Sequence, residues 1–328
     1  WLFVAKRLRQ YTKVAGDSIT LPEFFANRFR DDSGLLRTVC SIFIVIFYLF
    51  YTASGFVAGA KLFATVFGMS YLNGLFLSVL IIVIYTFAGG FLAVCWTDFF
   101  QGLLMLFAVV LVPVLAMESM GGIGASIDKI NAFNPNLLNM MTDAEGAPIA
   151  ALTMISCLAW GLGYFGQPHI LVRFMGIDKP QSIKKSRRIA TVWVIFSLIC
   201  AVLIGLVGRV FIAEDLSATA GETIYITMVL KLFPGFIAGV FLSALLAAVM
   251  STADSQLLVA ASSVASDFYQ NILRKKASDK ELMWISRIVV IIIAIIACLI
   301  ATDQDSVVYK LVSFAWGGFG AAFGPLIL

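Results

Sequence analysis

Long apolar runs separated by short polar turns recur along the chain, near residues 38–66, 72–88, 93–117, 149–168, 189–212, 225–266, 284–302 and 307–328. A helix needs about 20 apolar residues to cross the hydrocarbon core of a bilayer. The pattern therefore predicts an all-α polytopic membrane protein, with residues 1–328 forming one transmembrane domain. The run at 225–266 is too long for one perpendicular helix, which predicts a tilted helix or a short interfacial piece ahead of it. The chain lacks an initiator methionine, opens in an apolar run (Trp1 to Ala5) and stops inside another at Leu328. Further spans are expected at both ends. No signal peptide is visible, and a multispanning protein whose first span acts as the signal needs none.

Composition agrees with the pattern. Hydrophobic residues make up 61% of the chain, charged residues 13%, and the mean hydropathy is +0.97. Soluble domains carry about 25% charged residues. Most of the 23 Lys and Arg fall in segments 6–37, 169–190 and 267–287, and the intervening loops are acidic, with Glu118, Asp128, Asp143 and Glu145, then Glu214, Asp215 and Glu222, then Asp303 and Asp305. The positive-inside rule places the basic segments in the cytoplasm. Their charge is topological and does not point to nucleic acid. The cysteines Cys40, Cys95, Cys157, Cys200 and Cys298 lie in or beside apolar runs without metal-ligand spacing, and read as small apolar residues. Ser18 to Phe29 predicts a short helix with Pro22 in its first turn and Phe24, Phe25 and Phe29 on an interfacial apolar face.

Two stretches break the apolar monotony. In Trp160-Gly-Leu-Gly-Tyr-Phe-Gly-Gln-Pro-His, three glycines and a proline loosen a helix inside a span. Freed backbone groups at membrane depth must be buried in protein or face a water-filled cavity, and secondary transporters place their substrates at such discontinuous helices. Trp160, Tyr164 and Pro168 are spaced by four, which on an α-helix puts them on one face. Tyr51 lies mid-span beside the close-packing glycines Gly55 and Gly59. His169, the single histidine, reads as a structural residue at the end of its span.

The second stretch is Ser243-Ala-Leu-Leu-Ala-Ala-Val-Met-Ser-Thr-Ala-Asp-Ser-Gln. Ala244, Ala248, Ser251 and Ser255 share one helix face, and close helix packing is the simplest account of its alanines. The Ser251 and Thr252 hydroxyls with the Ala248 carbonyl offer clustered neutral oxygens that suit a monovalent cation. Carboxylates at membrane depth are costly and tend to pair or bind ions. Asp98 reads either as a helix N-cap shared with Thr97 or, converging with Asp254 and Ser255, as a second cation site or a proton-sensitive gate. Glycine runs such as Trp316-Gly-Gly-Phe-Gly lack the Lys-Ser/Thr of a phosphate loop. No nucleophile–base pair or metal cluster points to an enzyme.

The Trp160–Met175 stretch closely resembles the substrate-binding span of bacterial sodium/proline symporters, in the sodium–solute symporter family. So do Tyr51-Thr-Ala-Ser-Gly-Phe-Val-Ala-Gly-Ala, Phe91-Leu-Ala-Val-Cys-Trp-Thr-Asp, Ala247-Ala-Val-Met-Ser-Thr and Ser313-Phe-Ala-Trp-Gly-Gly-Phe-Gly-Ala-Ala-Phe-Gly-Pro. The resemblance implies the leucine-transporter-type inverted repeat, two five-helix units around a midplane site, and sodium-coupled uptake of L-proline across a bacterial inner membrane. By motif position it implies that Ala248, Ser251 and Thr252 contribute to a sodium site and that Tyr51, Trp160, Tyr164 and Pro168 line the proline pocket. Asp98, Asp254 and Ser255 resemble a second sodium site of some members. Nothing in the chain matches the family's first core helix, so roughly half of each site is expected here, and transport by this stretch alone is not. Alternatives are a relative carrying pantothenate, sialic acid or a short carboxylic acid, or a transporter-like membrane sensor fused to a kinase.

Overall fold

The computed structural model describes residues 1–212 and 221–328; Glu214 and Asp215 of the acidic loop lie outside the described residues. Two short helices, α1 (Ala5–Val14) and α2 (Leu21–Phe29), precede the long α3 (Leu35–Phe67), α4 (Tyr71–Ala88) and α5 (Phe91–Ser119). Next come α6 (Gly122–Phe133), α7 (Ala151–Ala159) running into a 3-10 segment (Trp160–Gly166), α8 (Pro168–Met175) and α9 (Ile183–Phe211). The chain closes with α10 (Ile224–Leu232), α11 (Gly235–Ser262) extended by a π-helical stretch (Ser263–Leu273), α12 (Asp279–Ile300) and α13 (Val308–Ile327). Among the described residues, six helices are long and apolar enough to cross a membrane.

Local sequence explains the punctuation. Ser70 and Ser278 cap α4 and α12 by accepting from the backbone amides of Asn73 and Glu281. The long 225–266 run divides at Pro234, which has no amide to continue the helix and sits in extended backbone as the cap of α11. Thus the short piece ahead of the long helix is α10.

α11 is the axis of the bundle. Its first half (Ala238, Phe241, Leu242, Ala244) shares one buried cluster with Val112 of α5 and Val207 of α9, and its second half (Val249, Ala253, Leu257) shares another with Phe56 of α3 and Ala294 of α12. Lipid tails are as apolar as leucine, so such helices hold together by close contact. The small residues of α11 supply it.

The two ends carry opposite charge. At one, the Thr20 hydroxyl donates to Asp267 Oδ1 (2.9 Å), and a cavity of about 610 Å³ is bounded by Arg9, Thr20, Gly176 and Arg287, drawn from all three basic segments, and by Ser263. At the other, buried Lys61 donates to Glu222 Oε2 (2.6 Å) and to the Ser306 carbonyl (2.9 Å), while Glu222 Oε1 accepts from the Val308 amide (2.9 Å). Lys61→Met leaves the Glu222 carboxylate without its cation. We expect it to cost about 3 kcal/mol, read as a lowered Tm in detergent.

α2 differs from its sequence reading. Thr20 caps it, but Phe24 and Phe25 are buried, and Phe25 stacks on Phe323 of α13 at 6.0 Å. The apolar face turns to the core because α13 offers it aromatic partners, and only Phe29 of the three is exposed. Of the cysteines, Cys157 is exposed and Cys40, Cys200 and Cys298 are buried.

Candidate functional site

The break at Trp160–Gly166 is shaped by its contact with α13. Gly166 is buried, and a Cβ built there would run into the Phe319 carbonyl. At Gly163 a Cβ would come within 3.2 Å of both the Trp316 ring and its carbonyl oxygen. These glycines let two backbones meet at a distance any side chain would prevent. The Trp160 ring stacks on Trp316 (centroids 5.5 Å apart, 22°) and on Tyr309 (5.4 Å, 14°).

The 3-10 geometry also redirects the predicted pocket residues. With three residues per turn, positions four apart are rotated by about a third of a turn, so Trp160 and Tyr164 do not share a face. Tyr164 accepts a hydrogen bond from Trp1 Nε1 (3.0 Å), whereas Trp160 faces α13. Pro168 is buried as the first residue of α8, where its missing amide costs nothing. From α3, Tyr51 sets its ring 6.2 Å from that of His169, and its hydroxyl lies close to the Trp316 indole. Tyr51 and Trp160 therefore share Trp316 as a neighbour.

His169 is tied to α3. The Tyr48 hydroxyl accepts from its backbone amide (2.8 Å) and shares a 3.1 Å hydrogen bond with Nδ1. This fits the structural role read from the sequence, with Tyr48 as the partner that spacing did not reveal.

On α11, Ala248, Ser251 and Thr252 are all half-buried, and the Ser251 hydroxyl donates to the Ala248 carbonyl at 3.3 Å. One turn further, Ser255 Oγ lies 3.4 Å from Asp98 Oδ2, 3.3 Å from Asp254 Oδ1 and 2.9 Å from the Ser251 carbonyl. Asp98, Asp254 and Ser255 thus converge. Asp98 is not an N-cap: α5 begins at Phe91 after Gly90, so Asp98 sits two turns inside, and the Thr97 hydroxyl donates back to the Ala93 and Val94 carbonyls and accepts from the Tyr85 hydroxyl.

Arg173 of α8 enters this group. Its Nη2 donates to Asp98 Oδ2 (2.6 Å) and Ser255 Oγ (2.8 Å), and its Nη1 donates to the His169 carbonyl (2.8 Å). The sequence reading placed Arg173 among the cytoplasmic loop charges. Its position one turn after His169, on the helix that follows the break, was the available signal. Two carboxylates face one guanidinium, and Ser255 has a single proton for three acceptors. Asp98 Oδ1 and Asp254 Oδ2 are buried without a partner. The cluster has acceptor capacity left for a further cation or proton.

The Sodium:solute symporter family profile matches residues 1–328. The chain belongs to this family. It is 47% identical to the osmoregulated proline transporter OpuE of Bacillus subtilis, over all of this chain and 66% of that protein. It is 46% identical to the high-affinity proline transporter PutP of the same organism (68% of that protein) and 45% identical to the sodium/proline symporter of Escherichia coli (65%). The chain thus spans about two thirds of the length of these curated relatives. Among solved structures it superposes on a sodium-coupled sialic acid symporter in its substrate-bound outward-open state, with a TM-score of 0.70 at 20% identity, covering 96% of this chain and 70% of the other. The symporter has the helical bundle of leucine-transporter type.

Proposed function

We propose that this symporter drives uptake of L-proline with sodium by alternating access, as a multi-pass protein of a bacterial plasma membrane. The observation that carries the reading is a span opened at Trp160–Gly166, with aromatic rings from α3, the break and α13 gathered around the opening. Proline is a zwitterion with an apolar ring, and such a ring suits an aromatic wall. The names of the relatives at 45–47% identity support the same cargo. Sialic acid, the cargo named for the structural neighbour, gains little from 20% identity. Tyr51, Trp160, Tyr164 and Pro168 are the proposed cargo-lining residues, Trp160 from the side of α13 and Tyr164 from the side where it meets Trp1.

The proposed sodium ligands on this chain are the Ala248 carbonyl and the Ser251 and Thr252 hydroxyls, neutral oxygens that replace the ion's hydration. Asp98, Asp254 and Ser255 are the proposed second cation site, shared with the tethered Arg173. Each sodium ion moving inward contributes about 2.3 kcal/mol per 100 mV of membrane potential. It couples to cargo by binding one conformation better and shifting the population toward it. The reading includes no covalent chemistry, in keeping with relatives named as transporters.

The test is uptake of radiolabelled proline into vesicles holding the full-length protein, wild type against Thr252→Ala. Sodium-dependent uptake is expected, with about tenfold more sodium needed for half-maximal rate in the variant, the effect of losing roughly 1.4 kcal/mol at the ion. Uptake indifferent to sodium, or restricted to a different solute, would sink the assignment.

A further inference from the structure

We propose that Trp316 is a cargo-positioning residue whose indole N–H meets the carboxylate of the bound amino acid, which makes α13 a third wall of the site. The inference rests on the reading of the chain as a carrier of a small amino acid. Trp316 lies eight residues into α13, or about 12 Å along the helix at 1.5 Å per residue. Its ring stacks on Trp160, its backbone and ring edge press on Gly163, and the Tyr51 hydroxyl lies nearby. Its Nε1 is buried and forms no hydrogen bond of good geometry, with the Tyr51 hydroxyl as the acceptor beside it.

A buried donor so poorly served needs an explanation. An indole N–H is a donor and nothing else, and a buried donor without an acceptor costs free energy that a native fold rarely gives up. Two other indoles show the group satisfied: Trp1 Nε1 donates to the Tyr164 hydroxyl and Trp193 Nε1 to the Gly102 carbonyl. At Trp316 the donor has only the Tyr51 hydroxyl beside it, on the ring that stacks on Trp160.

The chemistry of the cargo fits. A carboxylate brought to the membrane midplane needs donors, and the nearest cationic side chain on α8, Arg173, already serves Asp98, Ser255 and the His169 carbonyl. Neutral donors must therefore take its place. Trp316 N–H and Tyr51 O–H supply two, while the Trp160 face accommodates an apolar ring. The ligand class is a small amino acid with a free carboxylate and a compact apolar body.

The experiment uses the full-length symporter in proteoliposomes. Trp316→Phe keeps an aromatic ring and removes only the N–H. The expected result is a KM for proline raised about ten- to hundredfold, the loss appropriate to a hydrogen bond with a charged group. Sodium for half-maximal rate at saturating proline stays within about twofold on the same scale. Competition by pyrrolidine, which lacks the carboxylate, is expected to be weak in wild type and to approach that of proline in the variant. A Trp316→Phe variant with wild-type KM and wild-type discrimination overturns the assignment alone. Wild type that carries no proline overturns the functional reading and this inference together. Should Trp316→Phe fail to assemble, Trp316→Cys in a cysteine-free background provides the second readout: proline with sodium is expected to protect it from a thiol reagent, and unprotected labelling overturns the proposal.

Discussion

Gly166→Ala is expected to abolish most proline uptake and to lower Tm in detergent, through a cost of about 3 kcal/mol, the upper part of the range for overpacked sites. A methyl group there occupies the space of the Phe319 carbonyl. Backbone cannot rotate aside as a flexible side chain can, so α13 must withdraw from the break. Withdrawal separates Trp316 from Trp160, and with it the aromatic wall on that side. Thermal unfolding combined with uptake checks the result. Wild-type stability and transport in Gly166→Ala would show that the two backbones do not need their close approach.

Arg173→Leu is expected to cost about 3 kcal/mol, the lower end for a broken buried pair, because 35% of the Arg173 side chain is exposed. The variant leaves Asp98 and Asp254 with Ser255 as their one shared donor, and it also cuts the link from α8 to α5 and α11. Arg173→Lys is not expected to restore the loss, since a single ammonium cannot reproduce the fork that reaches Asp98, Ser255 and the His169 carbonyl together. Removing both charges, in Asp98→Asn/Arg173→Leu, is expected to recover much of the stability. A double-mutant cycle on Tm measures the coupling; additive losses would mean that the pair contributes little.

How far the sequence could carry the structure depends on the range of the interaction concerned. The break near Trp160 was visible because glycine and proline act on their own backbone. The division of charge between the two ends was visible because it needs only loop composition. Asp98, Asp254 and Ser255 were grouped correctly in space from their types and rarity in apolar runs. Arg173 was hidden, since a cation at the edge of a basic segment looks like any loop charge until α8 turns it toward α5. Trp160 was assigned a face by α-helical spacing, and the tighter 3-10 turn rotated that face toward α13. Phe24 and Phe25 read as an interfacial stripe because nothing in their own segment announces Phe323, almost 300 residues away.

The dependence of the broken span on α13 bears on how the protein is made. Ala151–Gly166 is shorter than a bilayer-spanning helix and ends in a 3-10 turn, so it is a poor candidate to remain in lipid by itself. Its partner helix begins at Val308, roughly 140 residues later, and at about 5–20 residues per second the ribosome needs on the order of ten seconds to reach it. Throughout that interval the break has neither Phe319 nor Trp316 to lie against. Biogenesis must therefore hold an unfinished span at the insertion machinery until the end of this sequence is synthesised.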